Sequence, residues 1–416
     1  MLTAVESLRC PGMRDLLPDD MARFRRIERA FREELLAWGY EEIRTPTIER
    51  LHLFTSAGTL APQLLDRVYS FLDWDGWSGE RVVLRPDATI PAARLFEERL
   101  DGLAKLFYVE NIFRFAQGDE PREVWQCGAE VYGGGWPGGD VELIAAGLRV
   151  LQRLGFADTR VRLSHTGVLR ALLVRAGFAV EEQAAQYDRI LDGDLSVRTE
   201  IEARLPDLSA PLHLLFDVTG VSTGYLANLR ATFAAAVPAM APALDQLETV
   251  ARALASIGRP CEISMTLARD FEYYTGPVFH FAVDDGPAVG AGGRYDGLAR
   301  RHDGAAVPAC GFAFQVDRLA DRLGVAPPER GPVVLVEPAA DAQDGAGVAL
   351  SVACELQEAG FRAELVGSRR GADCRWLLTV RPSGAPRYAL TDVESGARQE
   401  SDTMQILLGA LGRSRC

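Results

Sequence analysis

Apolar positions change their spacing several times along the chain, and each change marks an element. Met21, Phe24, Ile27, Phe31 and Leu35 recur three or four residues apart after the acidic pair Asp19 and Asp20, and the pattern stops at Gly39. This spacing predicts a capped amphipathic helix. Tyr40 to Thr45 then predicts a short strand ended by Pro46, which has no N–H to continue a ladder. From Val82 to Gly133 short strand candidates alternate with turn residues, and strand spacing returns between Ile263 and Phe314. Between them, over about residues 165–255, apolar residues fall at helical intervals in alanine-rich stretches such as Leu226 to Ala236 and Leu244 to Leu254. The order predicts an α+β fold, a helical block inserted into an antiparallel sheet domain.

Pro327 to Gly331 reads as a linker, dividing a large domain (1–325) from a small one (331–416). The small domain opens with the apolar run Pro332 to Val336 and continues with a helix around Val348 to Ala359. Strand candidates at Trp376 to Val380 and Tyr388 to Thr391 and a final helix at Met404 to Leu411 complete a small α/β pattern.

Composition narrows the function. With 416 residues, 48% of them hydrophobic, the chain can bury a full core and is neither disordered nor fibrous. Lys105 is the only lysine, so no mechanism needing a second catalytic lysine is open. The formal net charge of -13 presents a repulsive field to a polyanion, which disfavours a nucleic-acid partner. Seven scattered cysteines, none spaced Cys-x-x-Cys, suggest neither a zinc cluster nor a disulfide framework, and point to a reducing cytoplasm. No leader pattern and no apolar run long enough to span a bilayer is visible, so a soluble cytoplasmic protein without metal or cofactor is expected.

Three segments carry the chemistry: Phe113-Arg114 leading to Gln126-Cys127-Gly128-Ala129-Glu130; Arg269 to Gly276 (RDFEYYTG); and Gly290 to Gly297 (GAGGRYDG). In this order and spacing they resemble the core of the class II aminoacyl-tRNA synthetases, specifically histidyl-tRNA synthetase and its non-synthetase relative, the regulatory subunit of ATP phosphoribosyltransferase. Gly39 to Pro46 with Glu49 resembles the first class II motif, which that family uses for its homodimer interface. The small domain is similar to the anticodon-binding domain of histidyl-tRNA synthetase, but shortened: only a few residues separate Val366 from Trp376, without room for a second helix.

A free amino acid presents an ammonium, a carboxylate and a side chain, and histidine adds a ring with two nitrogens. The resemblance implies that Asp87, Thr89, Gln126 and Glu130 hold the amino end, and that Arg269, Tyr273 and Tyr274 lie near the carboxylate and imidazole. It further implies nucleotide or phosphate contacts at Arg114, Arg122 and Arg318. The adenylation parts depart from the synthetase pattern. The loop Phe115 to Glu123 is short, Ala116 stands where an acidic residue usually follows, Asp87 replaces a glutamate and Ala88 a glycine. Leu84-Arg85-Pro86-Asp87 is instead what the regulatory branch usually shows. Arg269 is compatible with activation chemistry, with a carboxylate ligand, or with an ion pair to Glu130 or Glu272. The glycines of Gly290 to Gly297 are weak evidence for phosphate binding, and are read as letting a strand and helix of the third motif pack beneath the pocket.

The resemblance therefore implies a non-catalytic regulatory subunit of ATP phosphoribosyltransferase, at the first step of histidine biosynthesis. Such a subunit would bind histidine, activate the short-form catalytic subunit, and form a homodimer within a hetero-oligomer. The alternatives are a divergent histidyl-tRNA synthetase or another amino-acid-adenylating ligase.

Overall fold

The computed structural model describes residues 8–56, 68–74, 79–116, 118, 120–221, 223–267, 274–301, 303–324, 333–339, 345–365 and 374–412. The chain divides into two compact units between Val325 and Ala326.

In the first unit α1 (Pro18–Ala37) starts with Pro18, and Asp20 accepts the Leu17 N–H at 3.0 Å. Of its predicted stripe, Phe24, Ile27, Phe31 and Leu35 are buried and Met21 is half-buried. The chain reverses at Gly39, whose φ of 79° suits glycine, into β1 (Glu41–Glu42), which is shorter than the Tyr40 to Thr45 run suggests. Ile43 still donates to the Phe107 carbonyl at 2.8 Å. The N–H of Thr45, however, is taken by the Glu110 carboxylate, so a side chain ends the ladder before Pro46 can.

A three-stranded sheet follows, from β2 (Ile48–Arg50), α2 (Leu51–Ser56), β3 (Ser70–Trp74) and β4 (Gly79–Leu84), ordered β2–β4–β3. The next stretch corrects the expectation of short strands up to Gly133. It contains the helix α3 (Thr89–Arg99) and then two ten-residue strands, β5 (Ala104–Phe113) and β6 (Glu123–Tyr132), paired along their whole length. α3 buries Ile90, Ala92, Ala93 and Phe96. Between Ile90 and Phe96 that face is filled by Pro91 and two alanines, so its periodicity is faint.

Next come α4 (Gly138–Arg153) and β7 (Thr159–His165). The helical block follows as α5 (Thr166–Arg175), α6 (Val180–Leu191), α7 (Leu195–Arg204), α8 (His213–Phe216), α9 (Thr223–Phe233) and α10 (Ala241–Ser256). The chain then returns to the sheet through β8 (Cys261–Ile263), β9 (Pro277–Val283), β10 (Ala288–Arg294) and β11 (Ala309–Gln315), and closes with α11 (Val316–Arg322). The sheet runs β1–β5–β6–β11–β10–β9–β7–β8. It is antiparallel except at its two edge pairings, β1 with β5 and β7 with β8. Phe31 of α1 meets Phe107, Phe312 and Phe314 edge-on, with centroids 6.0 to 6.4 Å apart.

The glycine-rich segment is itself the mid-sheet strand β10, between β9 and β11, and leads into no helix. The strand–helix pair is instead β11–α11. A Cβ at Gly293 would lie 2.7 Å from the Pro277 carbonyl and from the Tyr274 ring, so the glycine admits these neighbours.

The second unit has β12 (Val333–Pro338), α12 (Gly345–Glu358), β13 (Arg362–Glu364), β14 (Cys374–Val380), β15 (Tyr388–Asp392), β16 (Arg398–Ser401) and α13 (Met404–Gly412). Its sheet is ordered β13–β12–β14–β15–β16, parallel in the first two pairings and antiparallel in the last two. Val334, Val336, Leu378, Val380, Leu356 and Leu407 share its core. The residues read as a linker, 327–331, and residues 366–373 lie outside the described residues.

Candidate functional site

Glu130 is the centre of a polar group on the large sheet. β6 places it opposite Leu106 of β5 and Gly311 of β11, and it is 1% exposed. Tyr108, two residues along β5 from Leu106, donates its hydroxyl to one carboxylate oxygen at 3.0 Å, and Tyr295, just after β10, donates to the other. Thr89, at the start of α3, sits 3.4 Å from the Tyr108 hydroxyl. Tyr274 stands 6.5 Å from Tyr295, centroid to centroid, and Thr166 at the start of α5 donates to its carbonyl at 3.2 Å. Sheet, helix and insertion therefore meet at one place.

The close approach depends on glycines. A Cβ at Gly311 would clash with the Glu130 carboxylate and the Tyr295 hydroxyl, and one at Gly128 would strike the Tyr108 ring. Burial pushes the Glu130 carboxyl well above the usual carboxylate range, and the nearby Asp87 charge adds to the rise, although hydrogen bonds with Thr89 and Tyr108 oppose it. Burial likewise raises the Tyr108 and Tyr132 hydroxyls, with the Glu130 and Asp87 charges acting in the same direction.

Asp87 is half-buried and precedes α3, where its Oδ1 accepts the Ile90 N–H at 2.9 Å as a helix cap. Below the tyrosines, Arg294 of β10 is clamped between Asp140 and Asp296, the latter at 2.8 Å. Burial opposes the charge of Arg294, and Asp140 more than restores it. Asp296 in turn accepts the Ala309 N–H at 2.9 Å and donates its own N–H to Thr275 Oγ1 at 2.8 Å. This holds the two turns that carry Tyr274 and Tyr295.

The structure thus brings together Asp87, Thr89, Glu130 and Tyr274. Gln126 is half-buried on the same strand as Glu130, four residues away, opposite Glu110 and Gln315. Arg269 and Tyr273 lie outside the described residues. Tyr108 and Tyr295 were missed by sequence reasoning. Tyr108 reads as one more aromatic residue in a strand; Tyr295 lies inside the glycine-rich segment, and its neighbours drew the attention.

The three arginines expected at phosphate are engaged with protein groups. Arg114 is exposed and donates Nε to the Pro86 carbonyl at 2.9 Å, joining this loop to the turn that carries Asp87. The Arg122 guanidinium lies over the Phe115 ring at 4.6 Å and its Nη1 donates to the Tyr69 hydroxyl at 3.4 Å, while its buried Nε has no hydrogen-bond partner among the described residues. Arg318, on α11, donates to the Ala288 carbonyl at 2.8 Å. Gln117 and Asp119 of the intervening loop lie outside the described residues.

A cleft of about 220 Å³ lies elsewhere, lined by Leu148, Thr159, Arg160 and Arg259 among others. Arg160 there is already paired with Asp285 at 2.6 Å and Glu262 at 3.6 Å, and Asp158 of the same lining adds a further negative charge beside it, so its cation is committed within the protein and the tyrosine–carboxylate cluster is the better candidate. Among the described residues no three His, Cys, Asp or Glu side chains are grouped to hold a metal ion. No helix among them is long and apolar enough to cross a membrane.

Comparison with known proteins adds the following. The family model described as Histidyl-tRNA synthetase matches residues 12–319. An ATP phosphoribosyltransferase regulatory subunit of Dehalococcoides mccartyi is 42% identical over 393 residues, covering 92% of this chain and 93% of its own. A histidine–tRNA ligase of Methanosarcina acetivorans is 30% identical over 416 residues, covering 95% and 96%. Among solved structures, an ATP phosphoribosyltransferase regulatory subunit/histidyl-tRNA synthetase from Bacillus halodurans superposes with a TM-score of 0.75 at 23% identity, covering 92% of this chain and all of its own. Histidyl-tRNA synthetase from Nostoc gives 0.76 at 20% identity, covering 98% and 99%. At these identities the two structures establish the class II synthetase-like α+β fold.

Proposed function

Because the chain belongs to the ATP phosphoribosyltransferase regulatory subunits, within the histidyl-tRNA synthetase family, we propose that it binds free histidine at the Glu130 cluster. From there it sets the activity of a separate, short catalytic subunit. The observation that carries this reading is the meeting of Asp87, Thr89, Glu130, Tyr108, Tyr295 and Tyr274 in one polar group. Acidic acceptors suit the ammonium, and tyrosine hydroxyls suit a ring nitrogen that can donate or accept.

The alternatives are a tRNA-charging enzyme and another amino-acid-adenylating ligase. Greater identity to the regulatory subunit, 42% against 30% for the ligase, favours regulation. So does the engagement of Arg114, Arg122 and Arg318 with protein groups. In the regulatory reading histidine inhibits by binding one state of the assembly better than another, because equal affinity shifts nothing.

The test is co-purification with a short ATP phosphoribosyltransferase subunit, followed by a phosphoribosyl-ATP assay. The complex should turn over faster than the catalytic subunit alone, and histidine should reverse that gain only in the complex. Separate elution with an unchanged rate would overturn the reading.

A further inference from the structure

Arg85 is 3% exposed and stands where the two sheets of the first unit join. It immediately follows β4 of the small sheet. Its N–H donates to the Thr47 carbonyl just before β2 at 3.0 Å, and its carbonyl accepts the N–H of Phe113, the last residue of β5 in the large sheet, at 2.9 Å.

The side chain repeats this connection. Nε donates to the Asn111 carbonyl at 2.7 Å and Nη2 to Asn111 Oδ1 at 3.1 Å. Nη1 donates to the Thr45 carbonyl at 2.9 Å and lies 2.7 Å from the buried Glu110 carboxylate. Thr45 Oγ1 closes the group by donating to the same carboxylate at 2.8 Å. With the Pro46 carbonyl at 3.4 Å from Nη1, the guanidinium engages four residues at once, which suits a rigid planar fork.

None of these partners belongs to the Glu130 cluster, yet Asp87 is two residues further along. The Asp87 charge acts on Glu130, Tyr108 and Tyr132, so its position matters to the whole cluster. The Pro86–Asp87 turn is held by Arg85 on one side and by the Asp87 cap on α3 on the other.

We propose that Arg85 is a positioning residue for the amino-acid pocket: by fixing the end of β4 to Thr45 and Asn111, it sets where the Asp87 carboxylate stands. The proposal rests on the reading that Asp87 faces a histidine ligand, and goes beyond it by assigning the residue through which the small sheet controls that contact. A merely structural Arg85 would affect folding without acting through Asp87.

The experiment uses full-length protein and free histidine. Arg85→Lys keeps the charge opposite Glu110 but loses the fork, and should weaken histidine binding about tenfold by calorimetry, the scale of one charge-assisted hydrogen bond. Thr45→Val removes the hydroxyl that accepts from Arg85 Nη1 at 3.1 Å and donates to Glu110 at 2.8 Å, and should weaken binding about threefold. In an Asp87→Asn background the Arg85→Lys effect should fall below about twofold, while in a Gln126→Ala background it should persist, since effects acting through one group do not add. Amide exchange over residues 86–92 of the unliganded protein should accelerate in Arg85→Lys. Undiminished loss of affinity in the Asp87→Asn background, or unchanged exchange over 86–92, would overturn the proposal. If wild type binds no histidine, the ligand reading falls and the exchange comparison alone decides whether Arg85 sets the turn. If Arg85→Lys does not fold, Thr45→Val decides by the same readouts.

Discussion

Glu130 shows most clearly what one residue's environment does to its chemistry. Tyrosines donate to both of its oxygens, yet burial, with the Asp87 charge adding to it, raises its carboxyl well above the usual carboxylate range. A cationic ligand group beside it favours the ionised form. Histidine binding should therefore lower the Glu130 pKa and release protons across the pH range in which the unliganded carboxyl titrates, with affinity rising with pH through that range. Calorimetry in two buffers of different ionisation enthalpy measures the release. Glu130→Gln should abolish that component and weaken binding by roughly 1.5 to 3 kcal/mol, and a release unchanged in this variant would place the titrating group elsewhere. The resemblance to the synthetase core singled out Glu130 but gave no sign of its depth, because burial depends on the β5 and β11 neighbours rather than on β6 itself. The same limit hid Tyr108 and Tyr295, whose partner lies 22 and 165 residues away.

The elements divide into those whose side chains announce them and those whose side chains are absent. α1 was legible because large apolar residues mark every turn, and the helical block because its helices bury leucines at regular intervals. β10 was legible only as part of the strand spacing between Ile263 and Phe314, and the helix expected to follow it was wrong, because its glycines carry no pattern of their own; its role is to let β9, β11 and the tyrosines come close. Gly311→Ala in the adjacent β11 tests this: the added methyl meets the Glu130 carboxylate and the Tyr295 hydroxyl, and should cost about 1 to 3 kcal/mol in urea unfolding and remove histidine binding. A second test concerns the junction of β7 and α5. His165 caps α5 by accepting the Gly167 N–H on Nδ1, with Nε2 2.8 Å from the Gln246 carbonyl. Burial, with the Arg170 charge adding to it and the Gln246 contact opposing it, lowers its pKa to about 4. A histidine depressed from 6.5 stabilises the fold fully above pH 6.5, and that contribution, about 3 kcal/mol, is lost as pH falls toward 4. Urea unfolding at pH 7.5 and pH 5 should show the loss, and His165→Asn, which keeps a capping acceptor, should reduce it.

At the scale of the molecule, net charge and architecture bear on partners. A formal charge of -13 opposes a polyanion, and purified protein with ATP, histidine and tRNA should form no histidyl-tRNA; robust charging would restore the ligase alternative. The single lysine is committed to structure: Lys105 Nζ lies 2.7 Å from Glu142, donates to the Trp38 carbonyl at 2.5 Å, and sits over the Tyr40 ring. Self-association has a physical motive in the small sheet. Every residue of β3 is exposed, including Phe71, Leu72 and Trp74, and Ile48 of β2 is exposed as well. An uncovered edge strand bearing large apolar residues invites pairing, and the resemblance of Gly39 to Pro46 to the first class II motif points to a second copy of this chain as its cover. Light scattering after gel filtration should therefore give twice the chain mass of 45.3 kDa. Leu72→Glu with Trp74→Glu should shift it to the monomer, because a charge buried without a partner is expensive. The second unit has its own core and its own sheet, so truncation before Gly331 should leave the dimer, histidine binding and activation of the catalytic subunit in place. A truncated protein that dimerises and binds histidine but no longer activates would move the regulatory contact to the second unit. A truncated protein that is monomeric would show that the small sheet is not a sufficient interface.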